Sequence, residues 1–185
     1  MDRSEFEAAY GPFQTHGPLD PDPALPAPIA EFVEVVGLAS SANGYLWTVD
    51  ASLSAPLNRW LEADQTATPF MRTALAEVFF TTGDMIWVFN SHRCRVGRIT
   101  DDFGHFMNRY WPDSWFLDTY LDYDTYSTWR AENEATVIAP DECLGQTKPK
   151  PGKALRADEL VVRPFLEYFE EVAHASKGEV DFFEL

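Results

Sequence analysis

With 185 residues, 30 acidic against 14 basic side chains and a formal net charge of −16, this chain repels DNA, RNA and anionic membranes rather than attracting them. Its 45% hydrophobic and 15% aromatic content supplies a packed core for one domain, or two subdomains sharing a core, and excludes disorder over most of the length. No apolar run nears the roughly 20 residues of a membrane helix, and the N-terminus lacks the basic and apolar regions of a secretory signal, so the expectation is a soluble, cytoplasmic protein.

Ser4-Glu5-Phe6-Glu7 has the form of a capping box and Gly11 stands at the C′ position, which predicts a two-turn helix. Pro12, Pro18, Pro21, Pro23, Pro26 and Pro28 then remove backbone donors and predict an irregular strap. Ile29, Phe32, Val33 and Val36 recur at helical spacing after Pro28 and before Gly37, a second helix. Asn43-Gly44 is a turn feeding a strand from Tyr45 to Val49. Ser54 is expected to cap a short helix that lays Trp60 back on the strand carrying Trp47. Phe70 to Thr73 reads as extended. Val78 to Phe80 and Met85 to Phe89, apolar on both faces, predict central strands joined at Thr82-Gly83-Asp84, and Cys94 to Ile99 predicts an edge strand.

From Asp101 to Glu142 the composition changes, with ten acidic residues against Arg109 and Arg130, a net of −8. Thr100 is expected to cap a helix whose stripe is Phe103, Phe106, Met107 and Tyr110, with further helices starting near Pro112 and Asp122. Lys148 to Lys153 is a basic loop. A last helix from Pro164 buries Phe165, Phe169, Val172 and Ala173 and ends at Lys177-Gly178, before a terminal strand within Val180 to Leu185. The fold class expected is α+β: a compact mixed fold with a central, largely antiparallel sheet flanked by amphipathic helices over 1–99, followed by an acidic, mainly helical part over 100–185 packed against it.

Catalytic chemistry is poorly represented. Asp101, Asp102 and His105 could be cast as the metal site of a hydrolase, but two carboxylates in a first helical turn are better explained by the helix dipole. His16, His92 and His174 share no helical spacing with an Asp, Glu or Cys that would suggest a ligand set, so neither a metal nor a cofactor is expected. Cys143 follows Asp141-Glu142, whose charge raises a thiol pKa, and Cys94 is expected to be a buried or half-buried thiol as well. There is no G-x-S-x-G turn and no glycine-rich phosphate loop. The remaining feature is an acidic and aromatic run, in which Asp113, Asp118, Asp122, Asp124, Glu132 and Glu134 are the candidates for partner contact, while Trp115, Phe116, Tyr120 and Trp129 are expected in the core. Plain solubility also accounts for the charge, and an adaptor or ligand-binding module stays open beside the hydrolase.

The residues Phe6 to Gly11, Leu25-Pro26, Phe32, Gly37, Gly44 to Asp50, Trp60-Leu61 and Arg72-Thr73-Ala74 resemble the GAD-like domain in order and spacing. Leu121-Asp122-Tyr123-Asp124 and Pro140 to Gly145 look like the C-terminal domain that accompanies it in immunity proteins of type VI secretion DNase effectors. The pattern departs from the family at Ala51, at Leu75-Ala76 and at Lys150-Pro151-Gly152. The resemblance implies a bacterial immunity protein without catalytic residues, binding a cognate toxin that is a basic nuclease. It implies no direct nucleic-acid and no membrane partner.

Overall fold

The computed structural model describes residues 4–61, 65–176 and 180–184. The first helix, α1 (Ser4–Tyr10), ends where the Gly11 N–H bonds the Glu7 carbonyl at 2.9 Å. The Ser4 side chain of the expected capping box, Lys177-Gly178 at the expected end of the last helix, and Leu185 lie outside the described residues. Within the proline-rich strap, the proline-free run between Pro12 and Pro18 forms β1 (Gln14–Gly17), an edge strand whose donors are needed on one side only. Next, α2 (Ala27–Val36) buries Ile29, Phe32, Val33 and Val36 and stops at Gly37, where a Cβ would stand 2.5 Å from the Gly17 carbonyl oxygen.

A strand β2 (Leu38–Ser41) turns through Asn43 at φ 56° and Gly44 at φ 84° into β3 (Leu46–Thr48), so the turn falls where Asn-Gly placed it. The following α3 (Ser54–Asn58) is preceded by a turn over Ala51–Leu53, and the capping side chain is Asp50, which accepts from the Ser52 N–H, rather than Ser54. Trp60 does not fold back on Trp47: it packs against Phe89 at 4.8 Å, while Trp47 stacks on His16 at 5.1 Å.

Four antiparallel strands form the middle of the sheet: β4 (Thr68–Thr73), β5 (Val78–Thr82), β6 (Met85–Asn90) and β7 (Arg95–Thr100). A register shift between Pro69 and Met71 turns both Phe70 and Met71 to the same core and absorbs the proline where no ladder bond is needed. A single helical turn, α4 (Phe103–His105), runs into a π-helical turn over Phe106–Tyr110. Thr100 is not its cap: Asp102 accepts from the His105 N–H at 2.9 Å. Then come α5 (Ser114–Tyr120) and α6 (Tyr123–Glu132), a hairpin of β8 (Glu142–Gln146) and β9 (Leu160–Pro164), α7 (Phe165–Ala175) and β10 (Asp181–Glu184).

The fold is α+β, with an eight-stranded sheet in the order β1-β2-β3-β4-β5-β6-β7-β10, antiparallel except for β10 beside β7. The expectation of β7 as an edge is therefore corrected, because the terminal strand covers it. The part beyond residue 100 is less purely helical than its composition suggested, since it adds the β8–β9 hairpin. One sheet face, carrying Phe70, Phe79 and Val88, is covered by α1, α2, the turns over 103–110, α5 and α6, so this core draws on both sides of the 99/100 division. The opposite face, carrying Val78, Phe80 and Phe89, is covered by α3, Trp60 and α7. Among the described residues, no helix is long and apolar enough to cross a membrane.

Candidate functional site

Of the acidic residues singled out above, Asp118 sits on α5 and Asp124 and Glu132 on α6, with Asp113 capping α5, Asp122 in the corner between the helices and Glu134 just past α6; the corner is tied down from the sheet. Asn90, at the end of β6, donates from its amide to the Tyr120 carbonyl, and the Tyr45 hydroxyl donates to the Leu121 carbonyl. Arg93, in the β6–β7 connection, bonds the Asp122 carboxylate at 2.8 Å. Asp122 itself adopts φ 49°, the left-handed conformation that lets two residues turn one helix into the next. Three side chains from the sheet thus fix where α5 and α6 point.

This geometry sorts the six candidates. Asp122 is turned inward, its side chain 11% exposed and paired with Arg93, so it serves the fold rather than a free surface. Asp113 is exposed but also caps α5, its Oδ1 accepting from the Trp115 N–H at 2.9 Å. Asp118 and Asp124 are exposed and adjacent; partial burial, then the charge and hydrogen bond of Asp124, push the Asp118 carboxyl above the usual carboxylate range. Glu132 is exposed at the far end of α6, about 12 Å along the axis from Asp124 at 1.5 Å per residue, and Glu134 is exposed just past that end. Burial, then the charges of Tyr123, Asp118 and Asp113, raises the phenol of half-buried Tyr10 to about 12.

The aromatic residues divide as well. Phe116 and Trp129 are core, as expected, but Trp115 is 60% exposed and meets the Tyr120 ring edge-on at 5.1 Å. Tyr120 in turn stacks on Phe183 of β10 at 5.5 Å. This exposed indole, backed by two further rings, lies one helical turn from Asp118, whose carboxyl interacts with that of Asp124. Sequence periodicity missed it because a seven-residue helix has too few turns to show which aromatic faces out.

Several of the other chemistry-bearing residues have structural partners. Asp102 is a helix cap, and His16 bonds the Ser40 hydroxyl at 2.8 Å. Cys94 and Cys143 are both buried, and burial pushes the Cys143 thiol up to about 12. Among the described residues, no group of three or more histidine, cysteine or carboxylate side chains is arranged to hold a metal ion. Two features were not singled out from the sequence. One is the tie of Asn90 and Arg93, in a polar run directly after an apolar strand. The other is the burial of Arg72, which is 1% exposed near the end of β4.

No family model matches the chain, and no curated protein does. The crystal structure of Atu4351 from Agrobacterium tumefaciens is similar, with a TM-score of 0.67 over 99% of this chain and 92% of that one, at 12% sequence identity. At that identity the likeness concerns the fold alone.

Proposed function

We propose that the protein is an immunity protein that binds a cognate type VI secretion toxin, a DNase, in the cytoplasm and covers the basic face with which that toxin holds DNA. The observation that carries this reading is the exposed Asp118 and Asp124 pair beside the exposed Trp115 on a chain of net charge −16. Two neighbouring carboxylates repel each other, and a cation brought by a partner relieves that repulsion. The resemblance to GAD-like immunity proteins supports the same partner. Inhibition is by occlusion, with no chemistry performed on the toxin, and the overall acidity accelerates encounter with a basic surface.

Plasmid cleavage by the nuclease encoded beside the gene tests this. The wild-type protein is expected to protect DNA stoichiometrically, less well as salt is raised. Asp118→Lys with Asp124→Lys is expected to slow association about tenfold or more, within the range that electrostatic steering spans. Protection that is absent, or unaltered by this double reversal, would sink the assignment to this surface. Asp122→Lys is not an equivalent variant, because it breaks the pair with Arg93 and loosens the corner.

A further inference from the structure

A cavity of about 390 Å³ opens on the other side of the sheet from α5 and α6, between β3, the Ala51–Leu53 turn, the approach to β8 and the start of α7. Its walls are apolar: Leu38, Val49, Leu53, Phe165, Leu166 and the rings of Pro140 and Pro164. Leu166 is 46% exposed at its edge. Three carboxylates line it, Asp50, Asp141 and Glu167, each exposed. Arg72 forms part of the lining.

The state of Arg72 decides what charge the cavity takes. Its Nη1 donates to the Thr73 carbonyl at 3.0 Å, and its Nη2 donates to those of Pro140 and Glu142, both at 2.8 Å. The guanidinium carbon also lies 5.4 Å from the centre of the Trp47 ring and 4.9 Å from that of Phe165. Arg72 is 1% exposed and three of its donors are committed to the backbone, so an incoming anion finds little of this cation to bind and three carboxylates to repel it. A cation meets the opposite balance, three negative groups against one positive group that is held beside two rings. The walls suit a stem of methylenes leading to that charge. Two prolines and an arginine tied to three backbone carbonyls also hold the space open before anything enters, which lowers the cost of ordering it.

We propose that this cleft receives an arginine or lysine side chain of a protein partner, the aliphatic stem against Leu53 and Leu166 and the charged head among Asp50, Asp141 and Glu167. The choice of a protein side chain rests on the reading of the partner as a basic protein; the preference for a cation does not. The cleft would add a second anchoring point, on the other side of the sheet from Trp115.

The test uses the whole protein and N-acetyl-argininamide, N-acetyl-lysinamide, N-acetyl-norleucinamide and N-acetyl-glutamic acid amide as probes, followed by amide chemical shifts. The cationic probes are expected to give saturable shifts at Val49 to Leu53, Asp141 and Glu167. Affinity is expected to fall at least fivefold in the Asp141→Asn, Glu167→Gln variant, whose isosteric exposed substitutions leave packing intact, and to be kept in the Asp118→Lys, Asp124→Lys variant. No saturable shift, or equal shifts from the neutral and anionic probes, overturns the cleft. Agmatine binding more than tenfold tighter than N-acetyl-argininamide would overturn the side-chain occupant in favour of a free amine. Because no nuclease is present, a protein that takes the cationic probes but fails to protect DNA retains the cleft and loses the immunity reading.

Discussion

Glu77 is wholly buried between β4 and β5, in the tight connection where Ala76 stands at φ 65°. The Thr73 hydroxyl donates to one of its carboxyl oxygens, and the other, Oε1, has no partner among the described residues. Burial pushes this carboxyl well above its usual value of 4.5, outweighing the Thr73 bond that pulls it down. Folding therefore takes up a proton at Glu77, and the stability this group contributes is complete below pH 4.5 and lost as pH rises towards its folded value. His92, bonded to the Leu75 carbonyl and to the Tyr168 hydroxyl, is shifted the other way, to about 4 by burial. Its contribution is complete above 6.5 and lost as pH falls towards 4. The two oppose each other between 4.5 and 6.5, so Glu77 is exposed as the cause only above that window. Urea unfolding is expected to show wild-type stability falling from pH 6.5 to 8 by up to ~1.4 kcal/mol per pH unit, and the Glu77→Gln variant staying flat. A wild-type protein without that slope would mean that Glu77 is ionised in the fold.

At the scale of elements, β10 depends on one glycine in its neighbour. A Cβ on Gly97 of β7 would stand 2.5 Å from the ring of Phe183, the ring that stacks on Tyr120 behind Trp115. The ring end of a side chain can swing aside more readily than backbone, so Gly97→Ala is expected to displace Phe183 rather than β7. The cost should be about 1–3 kcal/mol, as for other overpacked positions. Phe183→Ala alone should also destabilise, and the double variant should lose less than the sum of the two, since removing the ring removes the clash. Strict additivity in urea unfolding would show that the two residues do not touch in solution. This contact lies outside what the sequence could reveal: Val96-Gly97-Arg98 reads as a weak strand, and nothing in it says that a strand more than eighty residues later lies alongside.

For the whole molecule, the dominant electrostatic fact is the net charge of −16. Exposed ion pairs such as Arg98 with Glu184 at 3.4 Å and Arg156 with Asp158 at 2.9 Å contribute little, and salt weakens them. Repulsion among the excess carboxylates is spread over the whole surface and is screened over about 10 Å at 0.1 M salt. Screened repulsion should win over screened attraction. The melting temperature of the isolated protein is expected to rise by about 2–4 °C between 10 and 150 mM sodium chloride, the shift that ~1 kcal/mol produces in a domain of this size. A fall would mean that the ion pairs matter more than the net charge. Salt would then act in opposite senses on stability and on association with a basic partner, which separates the two effects experimentally.

The helix of Ile29, Phe32, Val33 and Val36, the turns at Asn43-Gly44 and Thr82-Gly83-Asp84, and the central strands β5 and β6 were all legible in the sequence, because each is encoded by periodicity or by backbone chemistry within a few residues. So were the α+β class and the acidity of α5 and α6. What the tertiary structure alone decided is which of those acids face out. Asp122 and Asp118 are alike in sequence context, yet one is paired with Arg93 and the other stands beside Asp124, because Arg93 arrives from a connection nearly thirty residues earlier. The same holds for Arg72, whose partners are carbonyls of Pro140 and Glu142 and the ring of Phe165. Local pattern sets the elements; contacts distant along the chain determine which polar groups are spent on holding the fold and which remain to meet a partner.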